Sequence, residues 1–190
     1  MLREEISVKE VPMTSADDKH YRAKITKRVD FAPELWMIRI DPRAEFKFTP
    51  GQYATLGVHG EEKRWERTYS IASSPYENEI EFFFELVPNG ELTPKIYTLK
   101  TGDELLMRKA SKGWFTLDTA SGRKNHLLVC TVTGVAPGVA PYVSFVRTLY
   151  KDWNEGKFKG EHKLFLLNGA SRSWEGIWTN SRNMPRKFRG

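Results

Sequence analysis

The sequence predicts a mainly β fold: an antiparallel barrel of short strands, then an incomplete α/β unit. Three observations carry that expectation. Between residues 20 and 121, apolar and polar residues alternate in short runs broken by turn residues. After the polar stretch Ser121-Gly122-Arg123-Lys124-Asn125, the pattern becomes two continuous apolar runs flanking a segment of helical period. Many short strands in succession favour a closed antiparallel barrel, which hides its edges, whereas strand–helix–strand is one βαβ unit. The expected divisions are an N-terminal extension (1–19), the barrel (20–121), a partial α/β domain (122–175) and a basic tail (176–190).

Each element has its own signal. Tyr21, Ala23 and Ile25 alternate with Arg22, Lys24 and Thr26, and Trp36, Ile38 and Ile40 repeat the period until Asp41-Pro42 closes it. Pro50-Gly51 turns the chain into a strand over 52–58. Further strands are expected over 64–72, 79–87 and 104–108, with turns at Ser73-Ser74-Pro75, Pro88-Asn89-Gly90 and Thr101-Gly102-Asp103. A short helix is expected after Leu92, with Thr93 as its cap and Pro94 in the first turn. In the second half, 127–131 and 164–167 read as buried parallel strands. Between them Tyr142, Phe145, Val146, Leu149 and Trp153 recur at helical spacing.

The formal net charge is +6, but Arg182, Arg186, Lys187 and Arg189 in the tail supply four of those charges. The remainder is too weakly basic to argue for a nucleic-acid partner, although a modest basic patch suits an acidic protein. One cysteine, Cys130, rules out an intrachain disulfide framework and a cysteine-based metal cluster. No apolar run approaches a membrane span, and the first residues lack the apolar stretch of a signal peptide, so a reducing cytoplasm is expected. Cys130 reads as a small buried hydrophobe, His126 as a loop or strand-edge residue, and Trp114 and Phe115 as barrel core.

Two strings have chemistry. In Arg67-Thr68-Tyr69-Ser70, the arginine can clamp a pyrophosphate with parallel hydrogen bonds. The tyrosine, two residues on and on the same strand face, offers a plate for a ring, and the serine adds a hydroxyl. In Gly90-Glu91-Leu92-Thr93-Pro94, glycine permits close backbone approach and a helix start presents N–H groups to an anion. Taken singly, the first string is also an ordinary strand and the second an ordinary turn with a capped helix.

Their order is more specific. Pro50-Gly51-Gln52-Tyr53, Arg67-Thr68-Tyr69-Ser70, Gly90-Glu91-Leu92-Thr93-Pro94, Gly102-Asp103 and Thr133-Gly134-Val135-Ala136-Pro137 together resemble the ferredoxin–NADP reductase family, in its bacterial branch. The resemblance spans 21–175. It implies a Greek-key barrel that binds FAD and a Rossmann-like domain that binds NADP(H). Arg67 would then contact the pyrophosphate, Tyr69 would stack on the isoalloxazine and Ser70 would sit near flavin N5, with Thr68 also among the cofactor-binding residues. Tyr69 and Ser70 are thus the candidate catalytic pair. Leu86 and Val87 would offer backbone to the flavin, and Glu91, Leu92 and Thr93 would hold phosphates. Thr133-Gly134 would form the nicotinamide-nucleotide pyrophosphate turn, and Ser171-Arg172 the 2′-phosphate site. The implied reaction is hydride transfer between NADP(H) and FAD, with single electrons passed to ferredoxin or flavodoxin. Alternatives are the reductase component of an oxygenase-type chain, a non-catalytic flavin module or fragment, and, least favoured by the charge distribution, a nucleic-acid-binding barrel.

Two departures from the family pattern lead to an expectation of impaired turnover. Gly134-Val135-Ala136-Pro137 is repeated at once as Gly138-Val139-Ala140-Pro141. The second copy is expected to move the helix start to Pro141 and to weaken pyridine-nucleotide binding; unchanged NADPH affinity on deleting one copy would oppose this. The α/β domain is also expected to be cut short. Shifted reading frames through codons allowed for 176–190 can restore a family-like Glu-Phe-Gly and then a helical pattern, so a frameshifted end is the hypothesis. The nucleotide sequence decides it.

Overall fold

The computed structural model describes residues 19–60, 63–117, 122–130, 135–157 and 163–168. The N-terminal extension and the tail lie outside these residues, as do Thr133, Gly134, Ser171 and Arg172. The chain runs β1 (His20–Ala32), β2 (Leu35–Asp41), β3 (Tyr53–His59), β4 (Arg64–Ser70), β5 (Ile80–Glu85), α1 (Thr93–Thr98), β6 (Glu104–Arg108), β7 (Asn125–Cys130), α2 (Val135–Asn154) and β8 (Lys163–Asn168).

Strands β1 to β6 form one antiparallel sheet in the order β4-β3-β6-β1-β2-β5. Only β1–β2 and β3–β4 are sequence neighbours within it, so the other connections cross over in Greek-key fashion. The sheet curls until its ends meet: just past β4, the Ala72 N–H donates to the Glu81 carbonyl of β5 at 2.8 Å. Apolar side chains from all six strands fill the interior, including Ile25, Trp36, Ile38, Leu56, Phe82, Phe84 and Met107. Helix α1 closes one end with Leu92 and Ile96. Arg28 holds its far end by donating to the carbonyls of Tyr97 and Leu99, where a cation complements the helix dipole.

Strand β1 is longer than its alternation predicts. Its register slips between Ile25 and Lys27, and there it changes partner from β6 to β2. A bulge of this kind breaks the period of two and hides the strand's second half from a pattern search. Strands β2 and β5 are buried on both faces. Their inner residues fill the barrel, while Leu35, Met37 and Phe83 face outward into a second core with Ala72, Cys130, Val139, Ala140 and Val143. That second core joins the barrel to the α/β unit.

In the α/β unit, β7 and β8 pair in parallel, as predicted, but they are not the buried strands expected: Leu127, Val129, Phe165, Leu166 and Leu167 are exposed, and among their described residues only Leu128 and Cys130 are buried. Helix α2 packs back on the barrel, and Tyr142 donates to the Val129 carbonyl at 2.7 Å to hold β7. A buried ion hub reinforces the contact. Glu81, 1% exposed, accepts from Arg39 at 2.7 Å and from Arg147 of α2 at 2.9 Å. Beside it the buried Ser144 hydroxyl donates to the Ser73 carbonyl, and Ser74 and Thr148 share a hydrogen bond. The opposite face of β7 and β8 leaves Leu127, Val129, Phe165 and Leu167 exposed. No helix among the described residues is long and apolar enough to cross a membrane.

Three further expectations need correction. Helix α2 begins at Val135, not Pro141, and Pro141 lies inside it. The first turn of a helix has N–H groups without partners, so Pro137 fits there, and Pro141 removes only one internal bond. Trp153, predicted on the buried stripe of α2, is exposed; Val139, Ala140 and Val143 are buried instead. Trp114 and Phe115 are not barrel core: Trp114 is 99% exposed and Phe115 is 56% exposed. They follow Gly113, whose φ of 116° turns the chain out of the barrel, and Phe115 meets Tyr142 and Phe145 of α2. Cys130, by contrast, is buried as expected, and burial pushes its thiol pKa up.

Candidate functional site

Strand β4 is an edge of the sheet and carries the first predicted string. Its register against β3 pairs Tyr69 with Ala54, Arg67 with Leu56 and Trp65 with Val58. Ala54 and Leu56 are fully buried, so alternation puts Trp65, Arg67 and Tyr69 on the core side of the strand. Thr68 and Ser70 fall on the other side, and Ser70 pairs with Tyr53 at the strand's end. Because β4 has one free edge, its inward side chains reach the barrel mouth.

Tyr69 is the most enclosed of the set. Its ring rests on Phe84, 4.6 Å between centroids, and Phe84 stacks in turn on Trp36. Burial pushes the phenol pKa up to about 12, against the opposing pull of Arg67. The ring is therefore a neutral plate at any ordinary pH. Arg67 is mostly exposed; one Nη donates to the Glu66 carbonyl and the other lies 3.4 Å from Glu91 Oε2.

The second string, 86–93, lies opposite. The Leu86 N–H donates to the Glu34 carbonyl, and the Val87 N–H to the Thr93 hydroxyl. The Val87 carbonyl accepts from the Gly90 N–H and from that same hydroxyl. Thr93 therefore ties the turn together, and the helix cap is Leu92, which makes no side-chain capping bond. This corrects the expected capping role of Thr93. Pro94 has no N–H and the Lys95 N–H returns to the Leu92 carbonyl, so any N–H groups for an anion come from 91–93. Gly90 approaches Val87 so closely that a Cβ there would lie 3.0 Å from the Val87 carbonyl oxygen.

Tertiary structure adds three residues that sequence reasoning missed. Lys63 Nζ lies 3.0 Å from Glu91 Oε1 and 5.6 Å from the Trp65 ring centroid. The Lys95 ammonium lies 4.2 Å above the Trp65 ring. The hydrogen bond from Lys63, with further help from Arg67 and Trp65, holds the Glu91 carboxyl below its ordinary range. Trp65 was legible, since it continues the alternation of Tyr69 and Arg67. Lys63 and Lys95 were not, because a hairpin and a helix bring them together. The whole set is an aromatic plate, a cluster of cations and a tight turn along one barrel edge. A carboxylate already occupies the space between two of the cations, so the seat suits an anion such as a diphosphate.

Residues 23–116 match the oxidoreductase FAD-binding domain family. The flavodoxin/ferredoxin–NADP reductase of Escherichia coli K12 is 31% identical over 147 residues, covering 77% of this chain and 55% of that protein. The ferredoxin–NADP reductase of Pseudomonas aeruginosa is 38% identical over 91 residues, covering 48% of this chain and 35% of that protein. Among solved structures, the Neisseria gonorrhoeae ferredoxin–NADP+ reductase with bound FAD and NADP has the same fold, with a TM-score of 0.71 at 24% identity. That likeness covers 86% of this chain and 62% of that one. The chain thus shares that structure's fold over most of its length. The chain is similar to these ferredoxin–NADP reductases, and its barrel to the FAD-binding domain family. It spans about half the length of the E. coli relative.

Proposed function

We propose that the barrel binds FAD along β4 and that the protein works as a ferredoxin–NADP reductase-like flavoenzyme. The observation that carries this reading is the alignment of Arg67 and Tyr69 on one face of an edge strand, opposite the 87–93 turn. Arg67, with Thr68 beside it, is assigned to the pyrophosphate. Tyr69 is assigned to the isoalloxazine face, where its raised pKa keeps it uncharged. Ser70 is assigned to the edge near N5, Leu86 and Val87 to backbone contact, and Glu91, Leu92 and Thr93 to the phosphate side. The flavin-binding unit is taken as 20–121 and the pyridine-nucleotide unit as starting at 122. The separate barrel core and the parallel β7–β8 pair support that division.

Bound FAD supplies exchange between two-electron and one-electron chemistry. The chain's own residues would bind it and orient it. In the second unit, Thr133-Gly134 and Ser171-Arg172 are assigned to NADP(H) on the family pattern; all four lie outside the described residues. The relatives' names support ferredoxin or flavodoxin as the electron partner. A reducing cytoplasm is the proposed compartment.

The test is direct. Protein refolded or purified with excess FAD is expected to be yellow, and anaerobic NADPH is expected to bleach it if the nicotinamide half is competent. Folded protein that stays colourless with FAD would overturn the flavin reading. A yellow protein indifferent to NADPH and NADH would reduce the proposal to a flavin-binding module.

A further inference from the structure

We infer that the Glu91 carboxylate is a built-in counter-ion that competes with a dinucleotide's diphosphate for Lys63 and Arg67. This rests on the flavin reading and deepens it. It assigns Glu91 a role opposed to binding and adds Lys63 as a diphosphate-contacting residue.

The donor set carries the inference. Lys63 and Arg67 have only donors, and both converge on one carboxylate. Carboxylate and phosphate oxygens are recognised by the same donors, so a diphosphate reaching Arg67 must meet Glu91. The local charge favours the incoming group. Among the described residues, Lys63 and Arg67 flank the Glu91 carboxylate and Lys95 lies over the Trp65 ring, three cations to one carboxylate. This described cluster is net positive, which suits a diphosphate.

Displacement is also mechanically easy. The side chains of Lys63, Arg67 and Glu91 are 60%, 61% and 52% exposed. Solvent-exposed ion pairs are weak, so the carboxylate can swing out without disturbing a core. It remains nearby as an anion, because its ion-paired carboxyl stays charged at neutral pH. The displaced group therefore repels the diphosphate and lowers its affinity.

The experiment compares the full chain with Glu91→Gln and Lys63→Gln, titrating each with FAD, inorganic pyrophosphate and riboflavin in a calorimeter. Both substitutions are at exposed positions, and circular dichroism confirms folding. Expected is about two- to fivefold tighter binding of FAD and pyrophosphate by Glu91→Gln, the range set by one exposed ion pair. Lys63→Gln is expected to weaken both, and neither should alter riboflavin, which has no phosphate. Unchanged or weaker FAD and pyrophosphate binding by Glu91→Gln overturns the inference while leaving the flavin reading intact. Pyrophosphate tightened by Glu91→Gln in a protein that ignores FAD supports the competition and sinks the flavin reading. Failure of every form to bind either anion removes both.

Discussion

Tyr69 presents an uncharged ring at the barrel mouth. Its ring is held by Phe84 on the core side, so truncation to alanine would cost both the plate and barrel packing. The phenolic proton gives a cleaner probe. Its pKa is raised by burial from the ordinary 10 to about 12. A group with a raised folded pKa contributes stability that is complete below the unfolded pKa and lost as pH rises through the folded one. Wild-type protein is thus expected to lose about 2 kcal/mol between pH 10 and 12 that Tyr69→Phe does not lose. Urea unfolding of both proteins at pH 9 and pH 11 checks this; parallel losses would remove the assignment. The residue was visible in the sequence as part of Arg67-Thr68-Tyr69-Ser70. Its neutrality was not, because burial against Phe84 depends on how the sheet curls.

At the scale of the element, β4 depends on what β3 omits. Glu66, on the outer side of β4, reaches His20 of β1 and Arg108 of β6. Arg108 hydrogen bonding, aided by His20, holds its carboxyl below the ordinary range. To get there it passes β3 at Gly57, where a Cβ would lie 2.6 Å from the Trp65 carbonyl and 2.9 Å from Glu66 Cγ. Gly57→Ala is therefore expected to destabilise the barrel by roughly 1–3 kcal/mol, the usual cost of overpacking. It is also expected to disturb the Trp65 side of the anion seat. Denaturant midpoints, together with FAD affinity, measure both effects. An unchanged midpoint would mean that the strand shifts freely to make room. Alternation identified most strands of the barrel, but not this crossing: a glycine in a strand signals only that something comes close.

On the whole-molecule scale, the barrel and α2 behave as one packed object. Phe83, Leu35 and Met37 of the barrel share a core with Val139, Ala140 and Val143 of α2, and the Glu81 hub ties the same surfaces through Arg39 and Arg147. Removing Arg147 leaves the buried Glu81 carboxylate with Arg39 as its remaining partner, so Arg147→Met is expected to cost roughly 1–3 kcal/mol. The loss should appear as faster amide exchange in α2 than in the barrel, with Arg147→Lys partly restoring protection. Uniform exchange across the chain would show that the hub does not hold the two halves together. The exposed Leu127, Val129, Phe165 and Leu167 form an apolar face of the kind that promotes association.

The amino-acid pattern alone determined the barrel, the βαβ order and the two strings proposed to hold the flavin, because each depends on local periods and turn chemistry. Alternation needs only neighbouring residues, and so does the switch to continuous apolar runs after residue 125. Tertiary structure decided the rest. It showed why β2 and β5 are apolar throughout, since the barrel fills one face and α2 the other. It moved Trp114 and Phe115 outward, and it gathered Lys63 and Trp65 with Glu91 and Lys95 from two separate segments. Side-chain charges act through space, and the chain path that brings these four residues together spans 33 positions of sequence, beyond the reach of any local period.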